Sequence, residues 1–124
     1  MIVLDSSAFL AVILEERGAD RVEAALPGAV MSAATLAEVL SKAQQRGLST
    51  DGSYKRVVNF GIRVMPVNTL HARIAAEISR APRELDLSLG DRLCLALAIV
   101  LECGLVTSDR GMAGFVGIPV TLFR

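Results

Sequence analysis

Along these 124 residues, short apolar runs alternate with stretches in which apolar residues recur at helical spacing. The first run, Ile2 to Leu4, reads as a strand. It passes through Asp5-Ser6-Ser7, residue types that cap helices, into a helix with Phe9, Leu10, Ile13 and Leu14 on one side. Gly18 separates this helix from a short second one that ends near Pro27-Gly28, and Val30-Met31 reads as a short strand. A third helix is predicted from Ala34 to Arg46, with Leu36, Val39, Leu40 and Ala43 inward and Gly47 as its stop. Residues 49–60 carry a helical pattern weakened by Gly52. Arg63 to Val67 reads as a strand, and Asn68 starts a helix predicted to end before Pro82.

The strongest helical pattern begins at Ser88-Leu89-Gly90-Asp91, a capping box with Asp in place of the usual Glu or Gln. Leu89, Leu93, Ala96, Leu97, Val100 and Leu101 form its apolar stripe, and Gly104 is predicted to end it. Leu105-Val106-Thr107 and Val120 to Phe123 read as the last two strands. Strands alternating with helices, without repeats or a linker, predict one α/β domain over residues 1–124. Its mainly parallel sheet has four to five strands flanked by helices.

Composition narrows the class. The apolar fraction of 52% exceeds the usual range for soluble domains and hints at a surface covered by a partner. The longest unbroken apolar run, Leu93 to Leu101, is far shorter than the roughly 20 residues a membrane span requires. The start of the chain lacks a basic region and is interrupted by Asp5, unlike a signal peptide, so a cytoplasmic location is expected. Cys94 and Cys103, read on one helix, fall on opposite faces about 13 Å apart, too far for a disulfide, and match no zinc spacing. Net charge is zero, with 13 bases and 13 acids. Eleven of the bases are Arg, which suits phosphate recognition but also follows from a GC-rich genome.

Four acids carry the candidate chemistry. Asp5 and Asp109 lie just past the ends of predicted strands, the edge at which open parallel sheets bind ligands. Glu38 and Asp91 lie near helix starts, which point to that edge if the helices pack beside the strands. Singly, each has a plainer reading: Asp5 as a helix cap, Asp91 as a capping-box member, Asp109 as a turn residue and Glu38 as a solvated side chain. Jointly, four like charges repel one another, and a fold keeps such a cluster when a cation neutralises it. All-oxygen ligands select Mg²⁺ or Mn²⁺, and such an ion can activate water against a phosphodiester.

The pieces Val3-Leu4-Asp5-Ser6-Ser7-Ala8, Leu36-Ala37-Glu38-Val39, Leu89-Gly90-Asp91-Arg92-Leu93 and Val106-Thr107-Ser108-Asp109-Arg110 occur in this order. Together they resemble the PIN-domain ribonucleases, and more narrowly the VapC-type toxins of bacterial toxin–antitoxin pairs, over essentially the whole chain. The resemblance implies a Mg²⁺- or Mn²⁺-dependent endoribonuclease with Asp5, Glu38, Asp91 and Asp109 around the metal. It places Ser7 and Thr107 as hydroxyl residues lining that site. It also implies an RNA substrate, a homodimer, and an antitoxin partner that pushes a basic side chain into the acidic site. Two positions depart from the family pattern. Met112 stands where a bulky aromatic often follows the fourth acid, and Thr35 where Asn often precedes the helical Glu.

Arg92 and Arg110 directly follow two of the acids and suit either RNA phosphate contacts or ion pairs with those acids. His71, the only histidine, has no partners arranged as a triad and reads as a surface or boundary residue. Gly111, Gly114 and Gly117 form neither a dinucleotide fingerprint nor a P-loop. A receiver-type signalling domain would need a lysine near the last strand, and the only lysines are Lys42 and Lys55. An Asp-x-Asp phosphatase would need an acid where Ser7 stands. The alternative of another class is a catalytically silent PIN-like protein-interaction module, which a metal titration separates from the enzyme.

Overall fold

Strands apolar on both sides belong in the middle of a parallel sheet covered on both faces by helices. The computed structural model, which describes residues 1–78 and 86–124, has this arrangement. The order is β1 (Ile2–Leu4), α1 (Ser6–Ile13), α2 (Ala19–Ala25), β2 (Ala29–Ser32), α3 (Ala33–Gln45), α4 (Thr50–Asn59) and β3 (Arg63–Met65). Then follow α5 (Thr69–Ile78), α6 (Leu89–Leu101), β4 (Gly104–Thr107), α7 (Arg110–Ala113) and β5 (Val120–Leu122). All pairings are parallel, in the order β3-β2-β1-β4-β5, with Val3 beside Val30 on one side and Leu105 on the other.

The alternation of side chains along each strand divides the core in two. Leu4, Met31 and Val106 face one side, where α1 to α4 supply Phe9, Val12, Val22, Val39, Ala43 and Val57. Val3, Val30 and Leu105 face the other, where α5 to α7 supply Ile78, Leu95, Leu97 and Met112. Ser32 caps α3 through Ala34 N, Ser49 caps α4 through Gly52 N, and Asn68 Oδ1 accepts from His71 N at the start of α5.

Several expectations are corrected. β3 stops at Met65 rather than Val67, because Pro66 has no N–H for the ladder. Glu102, in the left-handed conformation at φ 51°, ends α6, and Gly104 belongs to β4. Cys103 therefore lies past the helix; it is half-buried, Cys94 is buried, and both are free thiols. Burial on α6 is wider than one stripe. Cys94 through Ala98 are all buried among the sheet, α3 and α5, whereas Leu89 at the first position is 59% exposed. His71 is buried, not at the surface, because it shares with Ala75 and Ile78 the face that α5 packs inward. The predicted end of that helix before Pro82 lies outside the described residues.

Candidate active site

The strand order reverses between β1 and β4, the switch point at which a crevice opens beyond the strand ends. Asp5 leaves β1 there, anchored by its backbone N–H to the Val106 carbonyl at 3.0 Å. It occupies the N-cap position of α1, yet its side chain makes no capping bond. Its Oδ2 accepts instead from the hydroxyls of Ser7 and Thr107, each at 2.8 Å. Both hydroxyls are fixed in turn: Ser7 Oγ accepts from Ser108 N and Thr107 Oγ1 from Asp109 N, each at 3.0 Å. Asp5 is thus a buried carboxylate, 5% exposed, with no ion-pair partner among the described residues.

The other three acids come to the same edge. α3 carries Glu38, and α6 carries Asp91 in its first turn. Asp109 follows β4 and caps the short α7, its Oδ1 accepting from Gly111 N at 2.7 Å. Burial pushes the Glu38 carboxyl above its ordinary value; Lys42 opposes the rise, Asp5 and Asp91 add to it, and the Ser6 hydroxyl opposes it. Burial likewise raises Asp91. Hydrogen bonds from Ser88 oppose that rise, and Asp5 and Asp109 reinforce it. The four carboxylates therefore share one electrostatic neighbourhood. Asp91 also belongs to the complete capping box with Ser88, its Oδ2 accepting from Ser88 N at 3.0 Å.

Each aspartate commits one oxygen to the protein by ordinary hydrogen-bond geometry, and its second oxygen accepts no such bond from the described residues. Three carboxylates with an oxygen to spare, plus Glu38, make an oxygen-only donor set that fits a hard divalent cation. Among the described residues, no three His, Cys, Asp or Glu side chains are drawn together as a closed metal-holding group. Carboxylates that repel one another have reason to stand apart.

Gly90 is a site residue that the sequence reading passed over. A Cβ there would overlap Glu38 Oε1 and stand 2.9 Å from Glu38 Cδ, so only glycine lets that carboxylate lie against the first turn of α6. The effect of Ser6 on Glu38 was also missed, because a serine after a strand reads as a cap. Arg92 donates from Nη1 to the Ala75 carbonyl at 3.1 Å, tying α6 to α5, and forms no ion pair with Asp91. Arg110 is exposed and likewise makes no ion pair among the described residues. Met112 is fully buried, with its sulfur 3.8 Å from Thr107 Oγ1, and so packs beneath the site. Thr35 is buried on the first turn of α3.

Comparison with known proteins bears on this arrangement. The family model of the PIN domain matches residues 2–116. The chain belongs to the PIN-domain family. Solved PIN-like structures follow the same path at low identity. A toxin–antitoxin complex from Klebsiella pneumoniae superposes with a TM-score of 0.75 at 19% identity, covering 95% of each chain. VapC20 of Mycobacterium tuberculosis, described as a sarcin–ricin loop cleaving toxin, gives 0.75 at 19% identity, covering 96% of this chain and 99% of the other. VapBC-1 from nontypeable Haemophilus influenzae gives 0.72 at 19% identity, covering 99% and 98%. No curated protein sequence matches. In this PIN domain, Asp5 and Asp109 follow the neighbouring strands β1 and β4, Glu38 and Asp91 both feel the charge of Asp5, and no described helix is long and apolar enough to cross a membrane.

Proposed function

We propose that this PIN domain is a Mg²⁺- or Mn²⁺-dependent endoribonuclease and the toxin of a toxin–antitoxin pair. The observation that carries the reading is the buried Asp5 carboxylate, held by two hydroxyls and partnered by no cation among the described residues, within electrostatic reach of Glu38 and Asp91. Burying an unpaired charge is costly, and a fold tolerates it where the charge has a task. The solved structures of like fold support the biological assignment, since one is described as a toxin–antitoxin complex and another as a sarcin–ricin loop cleaving toxin.

A bound divalent ion supplies Lewis acidity toward water and charge neutralisation at the scissile phosphate. The chain's own residues do the positioning. Ser7 and Thr107 hold Oδ2 of Asp5, so its other oxygen is presented in one orientation. Burial raises the Glu38 and Asp91 carboxyls above their ordinary values, Asp5 adds to both rises, and an opposite charge brought among them acts in the other direction. That same demand suits an antitoxin that inserts a basic side chain into the crevice. The chain acts as a homodimer, and the exposed Leu70 and Leu89 at the starts of α5 and α6 offer apolar surface for a second copy to cover.

The deciding experiment is cleavage of a mixed RNA pool by purified wild type and Asp5→Asn, each with added Mg²⁺, added Mn²⁺ or excess EDTA. We expect cutting by the wild type alone and only with metal. Equal cutting by both proteins would sink the four-carboxylate reading. A wild type that binds neither metal nor RNA would favour a silent interaction module.

A further inference from the structure

A groove of about 400 Å³ opens beside the acidic crevice, between α1 and α3. Its near end is Ser7, the residue whose hydroxyl holds Asp5. Leu10 and Leu14, one and two turns further along α1, line it with apolar surface. Lys42 and Arg46 line it from α3, and Arg124 and Glu16 stand at the far end.

The charge along α3 changes sign where the groove leaves the site. Glu38, Lys42 and Arg46 are four residues apart, so they share one face of the helix. At a rise of about 1.5 Å per residue, the two cations stand roughly 6 and 12 Å from Glu38 along the axis. Their charges are available. Lys42 is 3.9 Å from Glu38 with its side chain 54% exposed, a weak pairing, and Arg46 makes no ion pair among the described residues. Arg124 is committed elsewhere: it pairs with Glu16 at 3.3 Å, donates to the Arg17 carbonyl at 3.2 Å and lies over the Phe123 ring. The groove therefore has, among the described residues, one unpaired cation in Arg46, one weakly paired in Lys42, one neutralised pair and an apolar floor.

We infer that this groove takes the single-stranded RNA backbone next to the scissile bond, with Lys42 and Arg46 each neutralising one phosphate. The inference rests on the nuclease reading for its direction. A phosphate chain held at four carboxylates is repelled there unless cations receive it on leaving, and α3 places cations on the path out of the crevice. A cationic wall tracks the backbone of a single strand without reading its sequence, and Leu10 and Leu14 give a base apolar surface to lie against, without the aromatic stacking of dedicated single-strand binders. The groove is at the lower end of ligand-pocket sizes, room for a stretch of single strand and not for a duplex.

The test measures binding of a labelled single-stranded RNA of mixed sequence to the whole chain in EDTA, so that cleavage cannot deplete the probe. Each phosphate contact on a single strand adds about 2.6-fold to the loss of affinity between roughly 50 and 200 mM salt. Arg46→Gln should lose one such factor. Lys42→Gln combined with Arg46→Gln should lose both, making the salt-induced fall about 7-fold smaller than in the wild type. Arg46→Lys should keep the wild-type slope, and Lys55→Gln, whose residue pairs with Asp51 on the exposed α4, should change nothing. Unchanged slopes in Arg46→Gln and in the double variant would overturn the inference. So would unchanged RNA binding with weakened binding of an oligoglutamate peptide, which would assign the groove to a protein segment. Slopes that fall as expected in a protein that cuts no RNA would leave the groove standing and remove the nuclease reading. Cutting that survives with unchanged slopes would do the reverse.

Discussion

Asp5 and Gly90 show how differently residues enter the same crevice. Asp5 was marked by its place after a strand, and its plainer reading as a helix cap fails because its side chain turns to Ser7 and Thr107 instead. Gly90 carries no chemistry, so nothing in its type pointed to the site; its role is the space it leaves for the Glu38 carboxylate. Gly90→Ala should therefore separate stability from activity. Alanine favours the helix by up to about 1 kcal/mol, and the atom it would meet belongs to a flexible side chain. We expect a melting temperature unchanged or slightly raised, with metal affinity and RNA cleavage reduced at least tenfold. Glu38→Asp in the Gly90→Ala background should recover part of the metal affinity, because the shorter side chain withdraws from the new methyl. Isothermal titration with Mn²⁺ reads this directly, and wild-type affinity in Gly90→Ala would refute the positioning role.

Among the elements, α6 has two tasks in its first turn. Ser88 and Asp91 close the capping box, with Asp91 N donating to Ser88 Oγ at 3.1 Å, and the same Asp91 faces Asp5 and Asp109. The capping reading of Asp91 holds, and it leaves room for the proposed site role, because the cap takes up Oδ2 and no hydrogen bond from the described residues reaches the other oxygen. Ser88→Ala should cost about 1 kcal/mol, a drop of a few degrees in melting temperature. It should also lower activity, since the Ser88 hydroxyl that fixes Asp91 N is lost and the carboxylate keeps only the bond from Ser88 N. Asp91→Asn keeps an acceptor for Ser88 N, so its thermal unfolding without metal should be no worse than wild type while cleavage is lost. Calorimetry beside the RNA assay distinguishes the two, and an Asp91→Asn chain that melts well below Ser88→Ala would show that the cap depends on the charge.

For the whole molecule, the shared crevice makes stability depend on pH. Glu38 and Asp91 hold their protons to higher pH in the folded chain than at their ordinary values of 4.5 and 3.8. The folded state then binds more protons than the unfolded state across that interval, so stability without metal falls as pH rises through it. Below the interval the penalty is absent, and above it the penalty is complete. Denaturant unfolding in EDTA at a series of pH values should show a steeper fall in the wild type than in Glu38→Gln combined with Asp91→Asn. Identical slopes would mean that the two carboxylates do not feel their neighbours. Added Mn²⁺ should raise the wild-type melting temperature more than that of the double variant, by mass action on the folded state.

Alternating short apolar runs and helical spacings were enough to read a parallel α/β sheet and the order of its elements, because burial on both faces leaves strands no other composition. Strand ends and the first turn of α6 were enough to single out Asp5, Asp109 and Asp91 as candidates, since those are places where a sheet edge presents side chains, whereas Glu38 lies in the second turn of α3. Properties that depend on neighbours distant in sequence were not legible. Leu89 looks inward by spacing and is exposed, His71 looks peripheral and is buried, and Arg92 looks like a phosphate ligand or an acid's partner and is tied to Ala75. The crevice itself is a tertiary property. Ser7 and Thr107 are 100 residues apart in sequence and meet on Asp5 only because β1 and β4 are neighbours in the sheet. Side-chain type is written in the chain, whereas which carboxylate is buried, which oxygen is held and which glycine must leave room are decided by packing between elements that have no local pattern in common.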